Sequence, residues 1–257
     1  MEMQTTRYAK LIATILTGAA VLLVRPPSAV SGYSSRGFPS ALPLQGAYTV
    51  QPAPGGTIAG KITYGGKPVK PRKVAVTQDM AACGNSQEML PVRVEQGGVA
   101  DAVVWIDDVT HGKAFAFPKA VLSQKHCTFT PHVVLMAPGQ LEVDNDDQAT
   151  HNVHIYARYN RESNEVMAPG ASPLDITLMR PETVQVGCDV HTWMKGYIVV
   201  AKNPYYTLSQ AGGAFELTNV PAGTYHLKVW QENLGTKDQA VTVQAGHTAT
   251  VNFTLGS

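Results

Sequence analysis

The sequence carries almost no excess charge of either sign, since its 257 residues hold 20 lysines and arginines against 19 aspartates and glutamates. The basic residues are not clustered, which argues against a nucleic-acid partner. Sustained helical periodicity is missing after residue 40. The chain has instead 23 glycines and 17 prolines between short runs rich in valine, isoleucine, threonine and tyrosine. This composition predicts an all-β protein with many turns.

Long apolar runs are also scarce, and the one that stands out, LIATILTGAAVLLV, occupies residues 11–24 after Arg7 and Lys10. Its fourteen residues fall short of the roughly 20 that a membrane-spanning helix needs. A basic N-terminal region, a short apolar stretch and small residues after that stretch are typical of an export signal. We therefore predict that residues 1–31 are a signal peptide or an uncleaved N-terminal membrane anchor. The protein is expected to work in the periplasm or another extracytoplasmic compartment.

Cysteine is rare, with three residues in the chain. An odd number in an exported protein leaves one thiol unpaired or engaged in another role. Cys188 has a histidine three residues after it, so Cys83 and Cys127 are left to pair with each other. The prediction for an oxidising compartment is a disulfide between them, and two buried free thiols are the alternative.

Changes of pattern divide the rest of the chain into segments. Residues 32–54 lack an order-forming pattern and are predicted to be a flexible linker. Residues 55–118 contain short β-type runs separated by turns. A second β pattern fills residues 119–202, and residues 203–257 add three or four strands with tight turns.

The stretch VGCDVHTWMKG, residues 186–196, holds a thiol, an imidazole and a thioether at Cys188, His191 and Met194. All three are soft or borderline donors that suit copper. Zinc prefers cysteine, histidine and carboxylates, so the methionine argues against it. The alternation from Val184 through Val186 places Cys188 at the end of a strand, pointing inward. A mononuclear copper site of this kind needs one more histidine from elsewhere in the chain.

Two histidines in THNVHIY, His151 and His154, are candidates for that ligand. Residues three apart on a strand face opposite sides, so the two cannot easily bind one ion. His151 is the better candidate, because it stands at the strand entrance after a polar turn and is followed by Asn152. The amide of Asn152 can brace a neighbouring loop. His154 is expected to be an ordinary strand histidine.

The combination of THNVH with CDVHTWMKGYIVV resembles the cupredoxins, the plastocyanin and azurin superfamily of blue copper proteins. The short Cys-x-x-His-x-x-Met loop is similar to the amicyanin version, and FTPHVVLMAPGQLEVDNDD resembles the strands before the first ligand. The resemblance covers residues 119–202 and implies a Greek-key β-sandwich with one type 1 copper ion and Asn152 as the brace of the cysteine loop. Carried over onto this sequence, the copper ligands are His151, Cys188, His191 and Met194.

The flanking segments carry a second, looser resemblance. GTIAGKITYGGKPV and GGAFELTNVPAGTYHLKVW look like the start and the end of a carboxypeptidase regulatory-like, transthyretin-type β-sandwich. This implies that the cupredoxin-like domain is inserted into, or packed beside, a small sandwich built from residues 55–118 and 203–257. Two independent sandwiches in series are the alternative, although residues 55–118 have few strands for one.

The cupredoxin resemblance implies a carrier of single electrons that is not an enzyme and has no small-molecule substrate. In that family the edge of the histidine matching His191 reaches the surface within an apolar patch, where electrons pass. Trp193, with Met167, Pro169 and Gly170, would form such a patch, or Trp193 would only pack the loop. The expected partners are transient redox proteins such as a cytochrome or a dehydrogenase, which use small interfaces.

Two other function classes stay open. A copper carrier or storage protein would also be exported, although that role favours exposed, exchangeable ligands. A structural β-sandwich scaffold with a degenerate metal site is the other class. A second metal site at His126, Cys127 and His132 is not favoured, because Pro131 interrupts their strand and Cys127 is assigned to the disulfide.

Overall fold

The computed structural model describes residues 48–257. The predicted signal or anchor segment and most of the predicted linker therefore lie outside the described residues. Within residues 48–257, no helix has the length and apolar character to cross a membrane. This part of the chain is built almost entirely of strands, and the predicted all-β class is confirmed.

The strands are short and follow one another closely along residues 48–257. In chain order the elements are β1 (Thr49–Val50), β2 (Gly55–Tyr64), β3 (Arg72–Ala75), α1 (Met80–Cys83), β4 (Ser86–Met89), β5 (Val94–Glu95), β6 (Gly98–Val99), β7 (Val103–Ile106), β8 (His111–Gly112), β9 (Ala120–Lys125), β10 (Thr128–Thr130), β11 (Val133–Met136), β12 (Gly139–Asn145), β13 (His151–Tyr156), β14 (Ser163–Met167), β15 (Leu174–Leu178), β16 (Glu182–Gly187), β17 (Lys195–Val200), β18 (Tyr206–Leu208), a 3-10 turn (Ala211–Gly213), β19 (Ala214–Pro221), β20 (Gly223–Gln231), β21 (Gly235–Val243), β22 (Thr248–Thr250) and β23 (Phe253–Leu255).

Strands β9 to β17 form two facing sheets, which we call the central sandwich. One sheet has the order β10-β9-β12-β15 and the other the order β11-β17-β16-β13-β14. The chain crosses repeatedly between the sheets, so that β9 pairs in parallel with β12 and β11 in parallel with β17. Alternate residues of each strand point inward, and their apolar side chains fill the space between the sheets. Leu122, Leu141, Ile155, Val184 and Ile198 are fully buried members of this core.

The remaining long strands form a second pair of sheets, which we call the flanking sandwich. Its sheets have the orders β18-β7-β20-β21 and β19-β2-β6-β5, with β22 and β23 also paired to β2. Strand β2 therefore binds three strands from the carboxyl-terminal part of the chain. The core is separate from that of the central sandwich and contains Ile58, Ile62, Leu227 and Phe253.

A third, smaller cluster lies where the two sandwiches meet. Val103 of the flanking sandwich is buried with Val133 and Val199 of the central sandwich. Aromatic side chains pack around them, including Tyr197 against Trp230 with ring centroids 5.3 Å apart. This apolar contact fixes one sandwich against the other, because separating them would return these side chains to water.

A histidine–carboxylate pair joins the same two sandwiches by charge. His132 Nε2 lies 2.7 Å from Glu232 Oε1. Burial works against the charged imidazole, but the hydrogen bond to Glu232, together with the negative charges of Glu232 and Asp101, outweighs burial and raises the pKa of His132. The pair therefore stabilises the fold fully below the unfolded-state pKa of histidine, near 6.5, and this stability is lost as the pH rises through the raised folded-state value.

Glu232→Gln is accordingly expected to lower the free energy of unfolding more near pH 6 than near pH 8.5, because the stabilisation is lost as the pH rises. The loss should be about 0.2–1 kcal/mol, since the pair is partly exposed. Urea denaturation at the two pH values measures it. Glu142→Gln is the control, because Glu142 pairs with Lys119, whose charge does not change in this range. An equal loss at both pH values for Glu232→Gln would contradict the assignment.

Two predicted segment boundaries need correction. The linker predicted over residues 32–54 is too long at its carboxyl end, because β1 pairs in parallel with β8 of the flanking region. Residues 72–89, which comprise β3, α1 and β4, were expected to belong to the flanking sandwich. Val76 and Cys83 of this stretch are instead buried in the core of the central sandwich. We call residues 72–89 the cap segment.

Candidate metal centre

The candidate ligands converge at one end of the central sandwich. His151 is the first residue of β13, Cys188 follows β16, and His191 and Met194 lie in the loop before β17. The loop is closed tightly, because Met194 N donates to His191 O at 2.8 Å and Cys188 N donates to Met194 O at 3.3 Å. All four side chains are buried, with no exposed surface on either imidazole. One donor atom each from His151, Cys188 and His191 lies within 4.8 Å of the others.

The two imidazoles present the same ring atom to the centre. His151 Nδ1 and His191 Nδ1 are 2.9 Å apart. Each ring holds its other nitrogen against a carboxylate, His151 Nε2 against Asp147 at 2.9 Å and His191 Nε2 against Asp79 at 3.1 Å. An ionised carboxylate can only accept, so both Nε2 atoms carry the proton and both Nδ1 atoms present a lone pair.

Two facing lone pairs repel each other unless a cation or an extra proton lies between them. The extra proton is disfavoured on His151, because burial lowers the pKa of this imidazole, with the charge of His191 acting in the same direction and Asp147 opposing. A metal cation would satisfy both nitrogens at once. The donor set therefore fits a bound metal ion, and its sulfur atoms suit copper.

The Cys188 sulfur lies within reach of hydrogen-bond donors as well as the imidazoles. The backbone N–H groups of Asn152 and His191 lie 3.5 and 3.4 Å from Cys188 Sγ. Donors of this kind stabilise a thiolate and lower its electron density, so they tune a metal bound to it. The Cys188 thiol donates to Asn152 Oδ1 at 3.2 Å.

Asn152 links the ligand strand to the cysteine loop, in the manner that the sequence predicts. Its Oδ1 accepts from the backbone N–H of Asp189 at 2.7 Å, and its Nδ2 donates to the Asp189 carboxylate at 3.1 Å. The side chain is buried at the junction of the two elements. It therefore holds Cys188 at a set distance from His151.

Asn152→Ala is expected to destabilise the protein by about 1 kcal/mol, because it leaves the partly buried N–H of Asp189 without its acceptor. Cu(II) affinity should fall by about 10–100-fold, the usual cost of losing a residue that orients metal ligands. A competition titration with a chelator measures the affinity. Tyr156→Phe is the matched control, since the Tyr156 hydroxyl donates to the same Asp189 carboxylate at 3.2 Å but does not bond Asn152 or the loop backbone. Equal losses in the two variants would refute the bracing role.

His154 points away from the centre, as the strand parity predicts. It stacks on Tyr156 with ring centroids 3.9 Å apart and lies 3.1 Å from the Asp189 carboxylate. Desolvation lowers its pKa, but the hydrogen bonds to Asp189 and Glu162 and the charges of these two carboxylates together outweigh desolvation and raise the pKa. A histidine that favours its protonated form is a poor metal ligand.

Of the two roles left open for Trp193, an exposed partner patch and packing of the loop, its burial favours packing. Trp193 is 7% exposed, and its Nε1 donates to Cys127 O at 3.0 Å, so it packs the loop against the sandwich. Met167 is buried as well, whereas Pro169 and Gly170 are exposed. The edge of His191 is also enclosed and does not reach the surface as the family resemblance implies. Trp193 therefore provides no exposed aromatic surface at this loop.

The predicted disulfide is present and touches the centre. Cys83 and Cys127 are bonded, and Cys83 Sγ lies 3.9 Å from His191 Nε2. The backbone N–H groups of His126 and Cys127 each donate to the Asp147 carboxylate at 2.7 Å, which holds it against His151. Cys127 lies close to Asp147 and His151, but a bonded sulfur cannot serve as a thiolate ligand.

Two functional carboxylates, Asp79 and Asp147, are not found by the sequence reasoning. Asp147 lies four residues before His151 in the DNDD turn, a spacing that could have suggested contact. Asp79 is 112 residues from His191 and belongs to a segment with no metal-site pattern. Only the folding of the cap segment onto the central sandwich brings it there.

Comparison with known proteins finds both resemblances that the sequence predicts. A model of the carboxypeptidase regulatory-like domain family matches residues 193–256, although β17 within that range lies in the central sandwich. No curated protein sequence matches the chain.

Among solved structures, amicyanin from Paracoccus versutus is similar at 19% identity over 34% of this chain and 84% of its own, with a TM-score of 0.30. A purple cupredoxin from Nitrosopumilus maritimus is 16% identical over 32% of this chain and all of its own, with a TM-score of 0.29. A copper-containing nitrite reductase from Thermus scotoductus is 20% identical over 35% of this chain, with a TM-score of 0.30. The match spans 24% of that reductase.

Proposed function

We propose that this protein binds one copper ion in a type 1 site and carries single electrons between redox partners. The observation that supports this most strongly is the convergence of two carboxylate-anchored imidazoles on one buried cysteine. Each imidazole has its Nε2 committed to a carboxylate, which leaves only the Nδ1 atoms to bind. Met194, buried beside them, would add the thioether that favours copper over zinc.

The chain's own residues would hold the ligands still. Bound copper would supply one-electron redox chemistry. The ligands come from β13 and from a closed loop that Asn152 ties to that strand, so neither group of ligands can move freely. A site that changes little between oxidation states requires little reorganisation, which favours fast electron transfer. The N–H groups directed at Cys188 Sγ would shift the potential.

The location and partners form part of the same proposal. A disulfide between Cys83 and Cys127 is typical of oxidising compartments, and this supports a periplasmic or other extracytoplasmic protein. The partners would be transient redox proteins such as a cytochrome or a dehydrogenase. The ligands are enclosed by protein, which suits the transfer of an electron better than the binding of a substrate.

Reconstitution of the purified protein with Cu(II) tests the proposal. The expected result is one equivalent of copper, an intense visible thiolate charge-transfer band and reversible reduction. His154→Ala should keep the band and His151→Ala should lose it. If His154→Ala bleaches the protein and His151→Ala does not, the ligand assignment is wrong. Reversible uptake without the band would indicate copper handling, and no uptake would indicate a scaffold.

A further inference from the structure

The outer edge of His191 is closed by the cap segment. Asp79 Oδ2 lies 3.1 Å from His191 Nε2, and Cys83 Sγ lies 3.9 Å from the same nitrogen. Trp193 covers the ring from another side, with centroids 5.1 Å apart. The imidazole has no exposed surface, while the Asp79 side chain is 44% exposed. Asp79 therefore stands between the ligand and the solvent.

The side chain of Asp79 bonds to His191 and not to its own helix. Asp79 occupies the N-cap position of α1, where an aspartate usually accepts from the N–H groups of its own helix. It makes no such side-chain bond. Its backbone also lies in the left-handed region, with φ at 52°, which is unfavourable for a residue with a Cβ atom. The contact with His191 explains why Asp79 adopts an unfavourable backbone conformation and why its carboxylate does not cap α1.

The cap segment is fastened to the central sandwich at several points. The disulfide joins Cys83 to Cys127, whose backbone N–H also holds Asp147. Gln87 Nε2 donates to His126 O, in the central sandwich, at 3.4 Å. The side chain of Val76 is buried in the central core. These attachments hold the Asp79 carboxylate at a fixed place, and they link it to the carboxylate that supports the other imidazole.

We propose that Asp79 is a positioning residue for His191, supplied from outside the central sandwich by the cap segment. It keeps the ring proton on Nε2, so that Nδ1 faces the metal, and it makes that nitrogen a stronger donor, which favours Cu(II) over Cu(I). The inference rests on the proposed copper site. The contact itself can be tested without copper.

The metal-free protein tests the contact through the tautomer of His191, read from ¹⁵N NMR of the imidazole at fixed pH. The wild type is expected to show the Nε2–H tautomer with a slowly exchanging ring proton. Asp79→Ala should give a mixture of tautomers and faster exchange. Asp79→Asn keeps an acceptor oxygen and should retain the wild-type tautomer. Glu88→Ala is the matched control, since it removes one exposed negative charge from the same cap segment.

The copper-loaded protein tests the effect on the metal. Asp79→Ala is expected to weaken Cu(II) binding about 10–100-fold and Cu(I) binding less, so the midpoint potential should rise. Asp79→Asn should show a smaller change in the same direction, and Glu88→Ala should show none. Thermal denaturation of each metal-free variant checks that the fold is retained.

An unchanged His191 tautomer in Asp79→Ala, or equal shifts in potential for Asp79→Ala and Glu88→Ala, would overturn the proposal. Failure of the proposed function looks different. In that case the wild type would bind no copper, while the tautomer of the metal-free protein would still respond to Asp79→Ala.

Discussion

Cys188→Ser should abolish the visible thiolate band completely and reduce Cu(II) affinity by more than the roughly 10–100-fold cost of losing a supporting residue. A serine hydroxyl does not ionise near neutral pH, so the variant lacks the anionic sulfur that gives a type 1 site its colour and its bond strength. The imidazoles and Met194 would remain in place. The variant is therefore expected to keep weak, colourless copper binding.

The metal-free fold should be almost unaffected by Cys188→Ser. The hydroxyl is smaller than the thiol, and Asn152 Oδ1, 3.2 Å from the sulfur, remains available as an acceptor. Electronic absorption with Cu(II), together with the melting temperature of the metal-free protein, separates loss of the ligand from loss of the fold. A variant that keeps the intense band would show that Cys188 is not the thiolate ligand.

Removal of the disulfide in the double variant Cys83→Ala, Cys127→Ala should destabilise the protein strongly. The bond joins residues 44 apart in sequence, and for a closed loop of that length the chain-entropy relation gives about 4 kcal/mol. For a domain of this size that loss corresponds to a fall of about 8–16 °C in melting temperature. Alanine is the suitable replacement, because both sulfurs are buried and a serine would bury a hydroxyl.

The wild type in the presence of a reductant is the matched control for the double variant and should melt at nearly the same temperature. Calorimetry of both, compared with the oxidised wild type, measures the effect. Loss of the bond should also loosen the cap segment, because α1 then loses its covalent link to the central sandwich and keeps its packing, the Asp79–His191 contact and the bond from Gln87 to His126 O. An oxidised wild type no more stable than the double variant would contradict this account.

Much of the ligand set could be predicted from short patterns. The spacing of Cys188, His191 and Met194 within one loop brings them together locally, since seven residues cannot spread far around a tight turn. Strand parity allows only one of His151 and His154 to face the site, and the position of His151 at the strand entrance, just before Asn152, favours it. His154 indeed turns towards Asp189.

The sequence leaves the two roles of Trp193 open for a definite reason. An apolar side chain in a loop looks the same in sequence whether it faces solvent or packs beneath another segment. Trp193 is covered because its indole N–H finds Cys127 O, in a part of the chain 66 residues away. The same long-range packing encloses His191, which the family resemblance places at the surface.

The sequence by itself determined the all-β class, the pairing of the two cysteines and the local donor pattern, because each depends on periodicity, compartment or spacing over a few residues. The tertiary structure alone decided what surrounds those donors. Asp79 reaches His191 from a cap segment that was expected to belong to the flanking sandwich, and Asp147 is fixed by the backbone beside the disulfide. Contacts between segments so far apart in sequence depend on how whole sheets pack, so a local sequence pattern does not predict them.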